Sequence, residues 1–183
     1  MLEVNFTPFP VLNTERLTLR PVSLDDAKEL FFLRSDESVM KYIDRPRAKT
    51  AEDIFLFVEK VNNNLANNDG ILWGITIKDD PTLIGSIGFH YLMKENYRAE
   101  IGYVMHPSQH GKGIMQEAAR AVLDHGFNIM GLHSVEAHIN PENAASAKML
   151  ERIGFVREAY FKENYFWDGR FLDSVVYSLI KQD

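Results

Sequence analysis

The chain has 183 residues, of which 45% are hydrophobic and 25% are charged, as in an ordinary globular protein and not in a disordered chain. A formal net charge of −6 argues against a nucleic-acid partner, and the absence of cysteine excludes disulfides, thiolate metal sites and a cysteine nucleophile. The sequence has no apolar run of the roughly 18 residues that a membrane span needs, and no signal-peptide pattern at its start. We therefore expect a soluble cytoplasmic protein without a membrane partner.

The organisation of the chain predicts one domain over residues 1–183, because no linker-like segment and no internal repeat divides it. Residues 1–13 are expected to form an irregular arm, since Pro8 and Pro10 oppose regular strand pairing. A first strand is predicted over residues 17–21.

Two helices are predicted after this strand, because each begins with a reciprocal capping pair. The pairs are Ser23 with Asp26 and Thr50 with Asp53. Apolar residues at helical spacing follow both pairs and predict the buried stripes. These stripes are Ala27, Leu30 and Phe31 in the first helix, and Ile54, Phe57, Val58, Val61 and Leu65 in the second.

Three strands are predicted next, over residues 71–78, 83–93 and 99–105. The turns between them are too short for a parallel crossover, so these strands should be antiparallel neighbours. A polar loop and an amphipathic helix then lead to a strand over residues 134–140. This crossover predicts that the strand lies parallel to, and beside, the strand over residues 99–105.

The C-terminal part is predicted to contain a short helix over residues 144–152 and two strands over residues 155–166 and 171–180. Asp168-Gly169 between these strands is a hairpin signal. The predicted elements give a mixed sheet of about seven strands with helices packed on it.

The most informative segment is the loop that opens the amphipathic helix, where Gly111 and Gly113 flank Lys112. A helix N-terminus offers unpaired N–H groups and a positive dipole end, and glycines let an anion approach them. A pyrophosphate is therefore one candidate ligand; the alternative is a tight loop whose glycines only permit a positive φ. Ile114 after Gly113 excludes a P-loop, and Gln116 excludes the dinucleotide fingerprint.

In its context, this loop resembles that of the GNAT superfamily of acetyl-coenzyme A-dependent N-acetyltransferases, where Gln/Arg-x-x-Gly-x-Gly/Ala binds the coenzyme A pyrophosphate. Gly113 matches the central glycine, while His110 and Met115 depart from the usual residues. The branch of the bacterial ribosomal-protein N-terminal (alanine or serine) acetyltransferases shares these departures. Further stretches that resemble this branch are residues 14–20, 99–103, 140–146 and 150–155, Asp168-Gly169 and Asp173.

The resemblance implies a GNAT-like α/β (α+β) fold with a mostly antiparallel sheet, helices on both faces and splayed fourth and fifth strands. It implies acetyl-CoA as co-substrate, held partly as an added strand in the splay. The coenzyme-binding residues implied are Tyr103, Val104, Met105, His110, Gly111, Lys112, Gly113, Ile114, Met115, Asn140 and Asn143. For Tyr103 and Met105 the alternative is a side chain in the core, and for Asn143 it is a helix cap.

The resemblance also implies the catalytic residues. Many family members protonate the leaving thiolate with a tyrosine, but Leu150 stands at that position. In the ribosomal-protein branch a serine has this role, and Ser146 matches it; the alternative is a serine bonded back to its own helix cap. Glu100 is the first candidate for the base, followed by Tyr165, Glu163 and His138. No histidine has a convincing carboxylate partner at metal-ligand spacing, so no metal is expected.

The acceptor site is expected between the first two helices and the last hairpin, with Tyr165 and Trp167 as substrate-binding residues. The predicted reaction is acetyl transfer to a primary amine, foremost the N-terminal α-amino group of a protein such as a ribosomal protein. Two alternatives stay open: a polyamine, amino-acid or antibiotic acetyltransferase, and a non-catalytic module that binds coenzyme A. The protein is expected to be a monomer or a homodimer.

Overall fold

A computed structural model of the chain describes residues 1–182, which form one eight-stranded sheet with strand order β1-β2-β3-β4-β5-β6-β8-β7. The sheet is antiparallel except for the β5–β6 pair, as the crossover predicted. About seven strands were predicted, and the eighth is β1, which pairs with β2 although it lies in the segment predicted to be irregular. The strands are β1 Leu12–Asn13, β2 Leu17–Pro21, β3 Ile71–Ile77, β4 Gly85–Met93, β5 Arg98–Met105, β6 Ser134–Ile139, β7 Val156–Trp167 and β8 Arg170–Ile180.

The described residues form five α-helices beside this sheet, and both predicted capping boxes are present. Ser23 and Asp26 cap a 3₁₀ turn that precedes α1. Leu30 and Leu33 are buried against α3, while Phe31, which was predicted to be buried, is exposed because it lies to the side of this contact. The helices are α1 Ala27–Ser35, α2 Glu37–Met40, α3 Ala51–Ala66, α4 Ile114–Asp124 and α5 Ala144–Arg152.

Helices cover both faces of the sheet, each with its own apolar cluster. Trp73 and Phe89 pack with α4 and α5 on what we call the α4/α5 face. Leu33, Ile54 and Val58 pack on the opposite face, the α1/α3 face. Within residues 1–182, none of the helices has the length and apolarity needed to cross a bilayer.

The strands β5 and β6 separate soon after they meet. Their pairing ends at Glu100 and Glu136, while β5 continues to Met105 against β4 and β6 continues to Ile139 against β8. An opening therefore begins beyond Glu100. Side chains of β5 alternate between the two faces around this opening: Tyr103 packs on the α4/α5 face and Val104 on the α1/α3 face.

Candidate active site

The glycine loop has a backbone that requires glycine. Gly111 and Gly113 have φ of 74° and 73°, in the left-handed region that side chains disfavour. A β-carbon on Gly111 would meet no atom within 4 Å, and one on Gly113 only Arg16 Nη2 at 3.6 Å. Gly113 is the N-cap of α4. The residues present therefore fit a bound diphosphate, since no β-carbon at position 111 or 113 obstructs the N-terminus of α4, whose first N–H groups have no partner within the helix.

A hydrogen-bond network behind this loop joins β2 to α4. The Arg16 side chain donates to Lys112 O at 3.0 Å and to Glu117 Oε2 at 2.6 Å. Glu117 Oε1 accepts from the Arg16 backbone N–H at 2.9 Å and from Thr14 Oγ1 at 2.5 Å. Partial burial raises the pKa of the Glu117 carboxyl, but these hydrogen bonds outweigh it and hold the pKa below its usual value. The network was not predicted, because it joins residues about 100 positions apart.

The other predicted coenzyme residues near the loop have different environments. His110 Nε2 lies 3.3 Å from Met105 O, so one of the main-chain groups expected to face the coenzyme already has a neighbour. Lys112 Nζ donates to Gln109 Oε1 at 3.1 Å. The Met105 side chain is buried in the core, as the alternative reading had it, and Val104 packs against the α1/α3 cluster.

Four further predicted residues offer mainly backbone or amide groups. Ile114 is buried and Met115 packs partly against the core, so their main-chain N–H groups are what they can present. Asn140 Oδ1 accepts from the backbone N–H of Glu142 at 2.9 Å. Asn143 Oδ1 accepts from the backbone N–H of Ser146 at 3.1 Å, which is the cap of α5 that the alternative reading anticipated.

Two hydroxyl groups meet beside the unpaired part of β5. Tyr103 Oη lies 2.6 Å from Ser146 Oγ, and Ser146 is buried in the first turn of α5. Burial raises the pKa of Tyr103 to about 12, against the opposing effect of the Ser146 hydrogen bond, so the phenol stays protonated near neutral pH. The Ser146 hydroxyl thus faces Tyr103 and not the helix cap. Leu150 is fully buried and carries no proton donor.

On the α1/α3 face, Glu100 is paired with a histidine that sequence reasoning missed. His90 Nε2 lies 3.1 Å from Glu100 Oε1. Burial raises the pKa of the Glu100 carboxyl, but the His90 hydrogen bond and the charges of His90, His138 and Arg45 together lower it further than burial raises it. Glu100 is consequently ionised near neutral pH and is a weak base by itself.

A second histidine-carboxylate pair lies beside the first. His138 is exposed, as predicted, but its Nε2 lies 3.4 Å from Glu136 Oε1. Ligand-type atoms of Glu100, Glu136 and His138 all lie within 4.8 Å of one another. The expectation that no histidine pairs with a carboxylate at such a spacing is therefore wrong. Arg98 also contacts Glu136. Its guanidinium therefore supplies the positive charge that a metal ion would otherwise bring to these carboxylates.

The predicted acceptor loops meet through one hydrogen bond. Tyr165, near the end of β7, donates its hydroxyl to Asp44 Oδ2 at 2.5 Å, in the loop between α2 and α3. Burial and the Asp44 carboxylate raise the pKa of Tyr165, so this hydroxyl remains a donor. Trp167 is half-exposed beside the turn, whereas Glu163 is exposed and donates its N–H to Asp173 at 2.8 Å.

This geometry agrees with what similarity to known proteins shows. A family model described as an acetyltransferase (GNAT) domain matches residues 16–156. The chain belongs to the GNAT family of acetyltransferases. The resemblance inferred from the loop, the GNAT-like α/β fold and the acetyltransferase class are thereby confirmed.

Relatives of this GNAT protein differ in the acceptor that they use. YoaA of Bacillus subtilis, an uncharacterized N-acetyltransferase, is 33% identical over 94% of this chain and 98% of its own length. The spermidine N(1)-acetyltransferase of Vibrio cholerae is 26% identical over 86% and 89%. The ribosomal protein uS5-alanine N-acetyltransferase of Escherichia coli is 27% identical over 67% and 64%.

Solved structures share the fold over nearly the whole chain. A GNAT acetyltransferase from Bacillus anthracis has a TM-score of 0.82 at 33% identity, covering 93% of this chain and 98% of that one. RimL, a ribosomal-protein α-N-acetyltransferase solved with coenzyme A, has a TM-score of 0.85 at 20% identity, covering 93% and 98%. RimL thus binds coenzyme A with a fold that this chain shares.

Proposed function

We propose that this GNAT protein transfers the acetyl group of acetyl-CoA to the N-terminal α-amino group of a protein, such as a ribosomal protein, and that residues 1–183 act as one transferase domain. The observation that carries the transfer is the β5–β6 opening. It has the glycine loop near the end of β5 and the Tyr103–Ser146 hydroxyl pair beside its unpaired part.

On the coenzyme side, acetyl-CoA supplies the thioester. Main-chain N–H groups from Gly111 to Met115 hold its diphosphate, with His110 and Lys112 at the edge of the loop. The unpaired main-chain groups from Tyr103 to Met105 bind its amide-bearing arm in the manner of an added strand. Asn140 and Asn143 offer their remaining amide groups at the start of α5.

In the transfer, the neutral amine attacks the thioester carbonyl, a C–N bond forms, and the C–S bond breaks. The leaving sulfur takes the electron pair of that bond and a proton from Ser146 Oγ. Tyr103, which is 2.6 Å from Ser146, hydrogen-bonds to the serine oxygen and limits the charge left on it, and solvent restores the proton. The proton that the amine loses leaves on the α1/α3 face, where Glu100 and His90 lie.

The preference for an α-amino group over a polyamine rests on the charges of the acceptor side. A polyamine has several cationic nitrogens, which would need free carboxylates. The carboxylates of Glu100, Glu136 and Asp44 on this side already have partners, which are His90, Arg98 and Tyr165 respectively. Arg45 adds a further positive charge. An α-amino group, with a usual pKa of about 7.7–8.0, is partly neutral near pH 7 and needs little help to react.

The test is release of free thiol from acetyl-CoA with a matched set of acceptors. The set contains octapeptides with a free N-terminal Ala or Ser, the same peptides with a blocked N-terminus and one internal lysine, and spermidine. We expect turnover with the free N-termini only, and mass spectrometry should locate the acetyl group on the α-nitrogen. Turnover with spermidine alone would favour the small-molecule alternative. Tight coenzyme A binding without turnover on any acceptor would favour a non-catalytic module.

A further inference from the structure

His90 occupies an unusual position in the sheet. The register between β4 and β5 pairs Phe89 with Ile101 and Tyr91 with Glu100, so His90 is the extra residue of a β-bulge. Bulges bend a strand and re-aim a side chain, and they are over-represented next to active sites. Here the bulge turns the imidazole over β5, on the α1/α3 face beside the start of the β5–β6 opening.

The orientation of the ring follows from its two neighbours on β5. Nε2 lies 3.1 Å from Glu100 Oε1. The Cε1–Nδ1 edge of the ring lies over Gly102, where a β-carbon would be 2.8 Å from Cε1 and 2.9 Å from Nδ1. A side chain at position 102 would therefore force the imidazole to move. Within residues 1–182, Nδ1 makes no hydrogen bond, and the His90 side chain is 36% exposed.

We propose that His90 is the general base of the transfer and that Glu100 is a positioning residue that acts through it. This inference rests on the proposed function, whose reaction needs a group that takes a proton from the amine. The ionised carboxylate holds the proton of the imidazole on Nε2 and leaves the lone pair on Nδ1. A carboxylate that orients a histidine in this way is a recurrent catalytic arrangement.

The proton transfer balances within the reaction already described. As the C–N bond forms, the amine proton passes to Nδ1, and the ring becomes a cation. Glu100, 3.1 Å from Nε2, stabilises that cation, which then returns its proton to solvent. Imidazole titrates near neutral pH and is therefore better matched to this task than the Glu100 carboxylate, whose pKa is depressed.

Other charged groups surround this pair and set the pH dependence. They come from β6, from the first residue of β5 and from the loop between α2 and α3. The negative charges stabilise a protonated His90, and the positive charges oppose it. The groups are Glu136, His138, Arg98 and Arg45.

The experiment compares pH profiles of kcat for the wild type, His90→Gln, Glu100→Gln and the control His133→Gln. One acceptor is an octapeptide with a free N-terminal Ala. The other carries an aminooxyacetyl N-terminus, whose weakly basic nitrogen stays unprotonated in the neutral range. With this acceptor, a fall in kcat toward acid pH (the acid limb) reports protonation of a group of the enzyme and not of the acceptor. Calorimetry with coenzyme A confirms that each variant is folded and binds.

We expect His90→Gln to lower kcat about 100-fold at pH 7 and to abolish the acid limb. Glutamine can still bond to Glu100 but cannot take the proton. Glu100→Gln should lower kcat less and move the acid limb to lower pH, because a stabilising negative charge is lost. His133→Gln, at an exposed histidine outside the site, should retain both the rate and the limb.

A second variant tests the ring position without touching the imidazole. Gly102→Ala puts a β-carbon where the ring now lies, so kcat should fall while coenzyme A affinity is retained. The inference is overturned if His90→Gln keeps the acid limb, or if Glu100→Gln abolishes it. If the wild type releases no thiol with either acceptor, the proposed function itself fails, and this inference fails with it.

Discussion

The glycine loop and the acceptor side of this GNAT protein are assembled in different ways. The loop is one contiguous segment, whose glycines adopt a backbone that other residues disfavour. The acceptor side gathers His90, Glu100 and Glu136 from three strands and Asp44 and Tyr165 from a loop and a hairpin. The function of a contiguous segment can be recognised from the spacing of its residues in the sequence. A cluster of distant side chains depends on strand register, which neighbouring residues do not reveal.

The largest expected effect tests the contiguous segment. Gly113→Val places a branched side chain at φ 73° in front of the first turn of α4. We expect coenzyme A affinity to fall about 100-fold, the equivalent of one or two lost charge-assisted hydrogen bonds. Calorimetry measures the change directly.

The matched control is Gly169→Val, in the β7–β8 turn. Gly169 has a φ of 79°, and a β-carbon there would also meet nothing within 4 Å. The backbone strain is therefore similar, but the position is remote from the loop. Equal losses of coenzyme affinity in both variants would show that strain, and not an occupied anion site, explains the effect.

The next effect tests whether the hydroxyl pair acts as one unit. Ser146→Ala and Tyr103→Phe should each lower kcat about 10- to 100-fold under chemistry-limited conditions, with little change in coenzyme affinity. Because the two groups share one hydrogen bond of 2.6 Å, the double variant should lose less than the product of the single losses. Strictly multiplicative losses would contradict a joint role, and an unchanged kcat in Ser146→Ala would remove the serine from the mechanism.

Much of the fold could be predicted because local signals agree with it. The capping boxes at Ser23 and Thr50 and the short turns between β3, β4 and β5 correspond to real elements. The differences arise where a tertiary contact overrides a local signal. The arm at the N-terminus includes β1, beside a proline, because Trp73 Nε1 donates to Pro10 O at 2.7 Å and Phe6 is buried.

The part of the site that lies in local sequence motifs could also be predicted. Ser146 and the loop glycines lie in contiguous motifs, and the structure places them near the opening. His90 was missed because its direction depends on a one-residue bulge in β4, and a shift of one residue moves a side chain to the other face. From the sequence, a coenzyme contact and a place in the core were both open for the Tyr103 side chain, because no local pattern shows that its hydroxyl reaches Ser146.

A smaller effect concerns the support behind the loop. Glu117→Gln should lower the free energy of unfolding by about 1 kcal/mol at pH 7 and weaken coenzyme A binding a few-fold. The pKa of Glu117 is depressed in the folded state, so its stabilisation is complete above the unfolded pKa and is lost as pH falls through the folded value. The difference between the wild type and Glu117→Gln should therefore shrink on acidification, which urea unfolding at several pH values measures.

The control for this prediction is Glu15→Gln, which removes the same charge from an exposed neighbour of Arg16. It should leave stability and its pH dependence nearly unchanged. A similar loss in both variants would mean that the overall charge, and not the hydrogen bonds to Thr14 and Arg16, explains the effect.

The smallest expected effect concerns the acceptor side. Tyr165→Phe removes one hydroxyl, and with it the hydrogen bond that joins the β7–β8 hairpin to Asp44, 121 residues away in the α2–α3 loop. The loss of about 1 kcal/mol should raise the KM for the peptide up to about 5-fold, while kcat and coenzyme affinity stay unchanged. Tyr160→Phe is the control, because it removes a hydroxyl from the same strand that contacts Asp173 instead. If the two variants raise the KM equally, or if Tyr165→Phe weakens coenzyme binding, the hairpin and the loop do not form a separate acceptor site.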